Sequence, residues 1–279
     1  MIAVASGHDL ASSGETRVPV IDADGCPLHV EVDGPETAPA LMLSNSLGTD
    51  LHLWDEQVPS WSRHFRVVRY DRRGHGKSGF TAGPRTMERL GRDALTIMDG
   101  LGLSKVHWCG LSMGGMVGQW LASNAPQRID KLILSNTSAY FPDKIRWKDR
   151  INAVRAGGLA SVAEAVMNLW FTAEFRERAP DTVAGMKQML SATPVEGYIA
   201  SCEAIRDMDH RELLPKIVSR TLVIAGRHDV STPLESAEFM RSHIPGAALT
   251  LLDAAHISNV EQPAIYTAEV LGFLTQPEP

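Results

Sequence analysis

One segment constrains this chain more than any other. Val106-His107-Trp108-Cys109-Gly110-Leu111-Ser112-Met113-Gly114-Gly115-Met116-Val117-Gly118 runs as an apolar strand, a G-x-S-x-G turn and an apolar helix. A serine on so sharp a strand-to-helix turn needs neighbours without side chains, which Gly110 and Gly114 provide. The turn also sets Ser112 at the start of a helix, where free N–H groups and the dipole favour a developing negative charge. These features mark Ser112 as a candidate nucleophile. The alternative, a glycine-rich turn with an idle serine, gives no reason for the flanking strand and helix.

Around this segment, strand and helix patterns alternate. Val18 to Val32 reads as a β-hairpin turning at Asp24-Gly25, and Ala40 to Ser44 as a short strand. Leu53 to Trp61 reads as a helix, Phe65 to Tyr70 as a strand, Met87 to Leu101 as an amphipathic helix, and Lys131 to Ser135 as a strand. From Ser138 to about Pro215 only helical patterns follow. Strands then resume at Thr221 to Ala225 and Leu249 to Leu252, with a helix after Pro233 and a last one near Ala264 to Leu274. The fold class is therefore α/β, with a mostly parallel sheet covered by helices on both faces. A helical insertion over 138–215 divides the sheet domain into 18–137 and 216–279, and residues 1–17 read as a polar, flexible N-terminal arm.

The motif in this setting resembles the α/β-hydrolase fold, which implies an eight-stranded, mostly parallel sheet with a helical cap inserted after the sixth strand. That fold supplies its serine with partners in the chain order Ser, Asp/Glu, His. The strand Leu222-Val223-Ile224-Ala225 ends in Gly226-Arg227-His228-Asp229, and the strand Leu249 to Leu252 ends in Asp253-Ala254-Ala255-His256. An acid and a histidine are thus expected at one edge of the sheet. His256 would take the Ser112 proton, and Asp229 would hold the imidazole in its tautomer. Asp253 competes for the acid role, but it lies too near His256 along the chain to face the ring from behind. The oxyanion hole is expected from the backbone N–H groups of Met113 and Leu47, the latter in Ser44-Asn45-Ser46-Leu47-Gly48-Thr49. Here Asn45-Ser46 stands where the fold usually has His-Gly.

Other patterns mislead. Gly74-His75-Gly76-Lys77-Ser78-Gly79 matches G-x-G-x-x-G, but Gly83-Pro84 follows where a phosphate-binding helix should begin. The P-loop reading fails because Asp71 stands at its first glycine, leaving a structural loop behind the nucleophile. His75 and His228 lie near acids without metal-ligand spacing, so no metal is expected. A net charge of −6 argues against nucleic acid and anionic membrane as partners. No stretch has the length of a membrane span and no signal peptide is visible. Three scattered cysteines, Cys26, Cys109 and Cys202, fit a reducing cytoplasm. Nothing in the sequence decides between a monomer and a homo-oligomer.

Within that fold the chain resembles the 3-oxoadipate enol-lactonases over about Val20 to Leu274. The resemblance rests on Leu43-Ser44-Asn45-Ser46-Leu47-Gly48-Thr49-Asp50, on Arg69-Tyr70-Asp71-Arg72-Arg73-Gly74-His75-Gly76 and on Gly110-Leu111-Ser112-Met113-Gly114-Gly115. It rests further on Trp170-Phe171-Thr172, Cys202-Glu203-Ala204-Ile205, Gly226-Arg227-His228-Asp229 and His256-Ile257-Ser258-Asn259-Val260-Glu261. The Ser-Asn-Ser-Leu-Gly-Thr loop is its most specific element. The resemblance implies hydrolysis of a carboxylate-bearing butenolide, a small-molecule lactone substrate, through an acyl-enzyme and with no cofactor. A buried substrate carboxylate needs a cation. In the insertion, Trp147 and Arg150 share a helix face at i, i+3 and are the candidate substrate-binding residues; the competing reading makes Arg146, Lys148 and Arg150 together a solvated basic helix face. A carboxylesterase or another lactonase of the same fold would share every one of the Ser, Asp and His positions. A non-enzymatic ligand-binding module is the reading from another class, and the retained Ser112, Asp229 and His256 weigh against it.

Overall fold

The computed structural model describes residues 20–83 and 85–276; the predicted arm over 1–17 lies outside them, as does Val18 of the predicted hairpin. Eight strands form one sheet: β1 (Val20–Asp22), β2 (Pro27–Asp33), β3 (Ala40–Ser44), β4 (Arg66–Tyr70), β5 (Val106–Leu111), β6 (Ile129–Ser135), β7 (Arg220–Gly226) and β8 (Ala248–Leu252). The helices of the sheet domain are α1 (Val58–Trp61), α2 (Met87–Gly100) and α3 (Met113–Asn124) before the insertion. The insertion contributes α4 (Lys144–Gly157), α5 (Ala160–Trp170), α6 (Ala173–Arg178), α7 (Pro180–Ala192) and α8 (Val195–Asp207). After it come α9 (Leu234–His243), α10 (Ser258–Glu261) and α11 (Pro263–Thr275).

The strand order is β1-β2-β4-β3-β5-β6-β7-β8. β1, β2 and β4 pair antiparallel, and every pair from β4 through β3 to β8 is parallel. Strands buried on both faces must be apolar throughout rather than alternating, and β3 and β5 are buried at every position. The path from β3 to β4 moves one way across the sheet, and the path from β4 to β5 and onward moves the other. With right-handed crossovers, that reversal puts α1 on one face and α2, α3 and α9 on the opposite one. α11 joins α1, where Trp54, Trp61 and Tyr266 form a tilted cluster with centroids 6.1 to 6.3 Å apart. The reversal opens a crevice beyond the C-terminal ends of β3 and β5, the place where open α/β sheets bind ligands.

The insertion leaves after β6 and returns before β7. Its two ends are stapled by a Tyr140–Asp209 bridge and by His210 N–H donating to Ala139 O at 2.8 Å. Leu53 to Trp61 is not the single helix that the sequence suggests. A 3-10 turn over Leu51–Trp54, capped by Asp50, is followed by a break and then by α1 with Pro59 in its first turn. Proline lacks the N–H that a continuous helix would need there, so the helix restarts instead of running through.

Candidate active site

The site is built from the ends of β3, β5, β6, β7 and β8. Ser112 follows β5 at φ +55°, ψ −113°, the strained turn that the glycines on either side predict. A Cβ on Gly110 would lie 2.2 Å from Gly114 O, and one on Gly114 would lie 2.0 Å from Ser44 O, so both positions exclude any side chain. The turn is pinned by Ser112 N–H donating to Ser135 O at 2.8 Å and by Thr137 Oγ1 donating to Ser112 O at 2.6 Å.

Ser112 Oγ lies 2.9 Å from His256 Nε2, and His256 Nδ1 lies 2.8 Å from Asp229 Oδ2. All three side chains are buried. Asp229 also accepts from Ser231 N–H at 2.8 Å, Thr232 N–H at 3.0 Å, Thr232 Oγ1 at 2.7 Å and Asn136 Nδ2 at 3.1 Å. Burial alone would raise this carboxyl, but His256 and the Thr232 donors outweigh it and hold Asp229 below its ordinary value of 3.8. It is therefore a carboxylate at neutral pH, able to hold Nδ1–H and leave Nε2 free to accept the serine proton. Asp253, the competing acid, is exposed and pairs with the exposed His228 at 2.7 Å.

Across the crevice, Leu47 and Met113 each present a backbone N–H that donates to no group among the described residues. Their setting is fixed by the loop that mimics a dinucleotide motif. Buried Arg72 donates from Nη1 to Asn45 O at 3.1 Å and from Nη2 to Ser46 O. In a planar trans peptide the C=O and N–H point opposite ways, so holding Ser46 O on the Arg72 side turns the Leu47 N–H away from it. The Asn45 side chain donates to Tyr70 O at 2.9 Å and accepts from Trp54 Nε1 at 2.8 Å. His75 Nε2 accepts from Gly48 N–H at 3.2 Å, and burial holds His75 well below its ordinary value, so it remains a neutral acceptor.

Over these groups lies a hollow lined by Ser46, Leu47, Ser112 and His256 below and by Phe141, Arg146, Trp147, Arg150, Trp170 and Tyr198 of the insertion above. Trp147 and Arg150 meet there as their i, i+3 spacing suggests, with the guanidinium carbon 5.6 Å from the indole centroid. Trp147 Nε1 is buried without a hydrogen-bond partner. Tyr198 adjoins Arg150; burial pushes its phenol up to about 12 against the opposing arginine charge, so it stays neutral. Neither Arg146 nor Arg150 forms an ion pair among the described residues. Of the three bases that the solvated-face reading groups together, Arg146 and Arg150 line the cavity and Lys148 does not.

Sequence reasoning also missed Asn136. It is buried at φ +44° and joins Asp229 to the His256 loop: Nδ2 donates to Ala255 O at 3.1 Å and Oδ1 accepts from Ser258 Oγ at 2.6 Å. An asparagine directly after the apolar strand β6 was the available signal, since asparagine tolerates left-handed backbone. Two of the motifs that carry the family resemblance meet physically. Glu261 accepts from Thr172 Oγ1 and, at 2.9 Å, from Ala255 N–H, and Ile257 N–H donates to Trp170 O at 3.0 Å, which ties the insertion to the His256 loop. Among the described residues no group of three His, Cys, Asp or Glu side chains is placed to hold a metal ion, and no helix is long and apolar enough to cross a membrane.

The profile of the alpha/beta hydrolase fold family matches residues 39–263. The chain is 38% identical over 250 residues to 3-oxoadipate enol-lactonase 2 of Acinetobacter baylyi, an alignment covering 90% of this chain and 94% of that protein. Among solved structures, the enol-lactonase from Burkholderia xenovorans LB400 superposes with a TM-score of 0.90 at 41% identity, covering 93% of this chain and all of that one. A hydrolase from Pseudomonas aeruginosa PA01 superposes with a TM-score of 0.89 at 44% identity, covering 95% of this chain and all of that one.

Proposed function

This chain belongs to the α/β-hydrolase family, alongside the enol-lactonases it resembles, and on that footing we propose that it hydrolyses 3-oxoadipate enol-lactone to 3-oxoadipate. The observation that carries the reading is one hollow that brings together a Ser112–His256–Asp229 hydrogen-bonded line and the guanidinium of Arg150, which adjoins Tyr198 and forms no ion pair among the described residues. The first attacks an ester carbonyl; the second receives the carboxylate arm that distinguishes this lactone from a neutral ester.

In the proposed mechanism Ser112 Oγ attacks the ring carbonyl carbon while His256 Nε2 takes its proton, and Asp229 stabilises the imidazolium. The oxyanion accepts from Leu47 N–H and Met113 N–H. Collapse of the tetrahedral intermediate breaks the ring C–O bond. His256 returns the proton to the leaving oxygen, giving an enol that tautomerises to the ketone. The enol remains tethered through the acyl group, so the opened chain stays in the cavity until water, deprotonated by His256, attacks the acyl-enzyme and frees the second carboxylate. Arg150 holds the first carboxylate throughout, and the partnerless Trp147 Nε1–H is the further donor available to it.

The test follows loss of the lactone by its ultraviolet absorbance with purified wild type and Ser112→Ala. Wild type should turn the lactone over, and the variant should fold normally and lose several orders of magnitude in kcat. Retention of more than about a tenth of wild-type kcat would remove Ser112 as nucleophile, and no wild-type turnover would remove the lactone as substrate.

A further inference from the structure

A second hollow lies on the surface against the catalytic cavity. It runs between the segment leading into α4 and the loop joining β7 to α9, and Tyr140, Pro142, Val230 and Phe239 line its outer part. Its inner end shares four residues with the catalytic cavity: Phe141, Arg146, Trp147 and Ser231. The two hollows are therefore neighbours across a single ring of side chains, and that ring contains one cation. Phe141 and Trp147 meet edge to face there, their centroids 5.5 Å apart.

We infer that this groove is the access port of the catalytic cavity and that Arg146, at its inner end, selects for anionic esters and lactones. The inference rests on the hydrolase reading of the cavity and extends it to how substrate arrives and which charge is admitted. Arg146 is exposed toward the groove yet lines the cavity, so its guanidinium is available to a carboxylate on both sides of the ring. The charges acting on it are the carboxylates Asp143 and Asp229 and the like-charged Arg150. The first two are already engaged. Asp143 caps α4, accepting from Ile145 N–H at 3.0 Å and Arg146 N–H at 3.2 Å, and Asp229 holds His256. The other charges along the groove are Glu235 and Arg211, the latter paired with Asp209 at 2.6 Å. A carboxylate entering the ring thus meets Arg146 first and Arg150, one helical turn further along α4, second. The i, i+4 spacing places two like charges side by side on one helix, an unfavourable arrangement in the empty protein that an incoming anion relieves.

The port is tested by plugging it. All three native cysteines are buried, so Val230→Cys, at an exposed groove position, gives a uniquely addressable thiol, and Ile265→Cys, exposed on α11 away from both hollows, gives the control. Each is treated with a bulky thiosulfonate and assayed on 4-nitrophenyl butyrate and 4-nitrophenyl hemisuccinate, a neutral and an anionic ester of matched acyl length. Labelled Val230→Cys should lose at least about tenfold in kcat/KM on both esters and recover it on reduction, while labelled Ile265→Cys keeps its activity. Arg146→Gln should lose about tenfold in kcat/KM on the hemisuccinate, mostly through KM, and less than about twofold on the butyrate. Full activity of labelled Val230→Cys overturns the port, and equal losses on both esters, or none, in Arg146→Gln overturn the selector. No turnover of either ester by the unlabelled proteins overturns the hydrolase reading and the port with it; normal turnover insensitive to the label overturns the port alone.

Discussion

Asn136 offers the most demanding test of how the site is held. Replacing it by alanine removes three buried side-chain hydrogen bonds: to Asp229 Oδ2, to Ala255 O and from Ser258 Oγ. The bond to the ionised Asp229 is worth about 1.5–3 kcal/mol and each neutral one about 1 kcal/mol, so the bonds alone come to roughly 4 kcal/mol. Alanine must also adopt φ +44° without the side-chain hydrogen bonding that lets asparagine tolerate it, which adds about 1 kcal/mol. Asn136→Ala should therefore destabilise by about 5 kcal/mol, a large share of the 5–15 kcal/mol that holds a typical domain together. Asn136→Gly loses the same bonds without the backbone strain, so it should be about 1 kcal/mol less damaging than alanine. Urea unfolding of the two variants beside wild type measures both quantities. A loss below about 1 kcal/mol for alanine would mean that these bonds do not support the fold, and equal losses for alanine and glycine would refute the strain component.

Gly114→Ala should fold but lose about 100-fold in kcat, because a Cβ 2.0 Å from Ser44 O forces the start of α3, and with it the Met113 N–H, off its position; steady-state kinetics beside a thermal melt separates the two effects. Asp229 has a folded-state value below 3.8, so the unfolded chain binds more protons in that window. Its contribution to stability is complete above the unfolded value and drains away as pH falls through 3.8 toward the folded value, so the stability gap between wild type and Asp229→Asn should narrow as pH falls below about 4. Arg150→Ala should impair the anionic lactone by at least about tenfold, roughly 1.4 kcal/mol, while sparing a neutral aryl ester; equal impairment of both would make Arg150 a packing residue of the insertion.

The sheet was legible because its central strands are buried on both faces and read as unbroken apolar runs, β3 and β5 above all. Ser112, Asp229 and His256 were legible for a related reason: each lies just past the end of such a run, so finding the strand finds the residue. Legibility fails where local chemistry competes with the pattern. Leu53 to Trp61 carries helical periodicity, yet Asp50 starts a 3-10 turn and Pro59 forces a new beginning. It fails again in α4, whose buried positions Trp147, Ile151 and Val154 mark the core face correctly and leave the other faces looking solvated. Arg146 belongs to one of those other faces, and only the fold of the insertion over the sheet turns it toward the cavity. Its spacing of four from Arg150 was the usable signal, because like charges stacked on one helix face are unfavourable without a ligand between them.

The Arg72 loop shows why a sequence motif has to be weighed against what surrounds it. Gly74-His75-Gly76-Lys77-Ser78-Gly79 looks like a cradle for phosphate, and the structure uses the loop as a support for backbone instead. Asp71 accepts from Leu51 N–H at 2.8 Å and Lys77 N–H at 2.8 Å, His75 accepts from Gly48 N–H, and Arg72 donates to Asn45 O and Ser46 O. Gly76 has no side chain because a Cβ there would fall 2.2 Å from the Asp71 carboxylate. Burial brings Arg72 down to about 10, still charged at neutral pH, so it meets the two carbonyls as a full cation. Those carbonyls are the acceptors of the peptides next to Leu47, and tying them down removes the freedom of the Ser46–Leu47 peptide to flip. An oxyanion donor works only if it is oriented before charge develops, and an unrestrained loop peptide would have to be reoriented during the reaction. A short side chain at Ser46 and an amide at Asn45 that bonds sideways to Tyr70 and Trp54 leave both carbonyls open to the arginine. Thr49 N–H and, at 2.9 Å, Thr49 Oγ1 donate to the same Ser46 O, and Gly114 N–H donates to Asn45 O at 3.1 Å, so the loop is held from behind by the Arg72 charge and from within by its own turn.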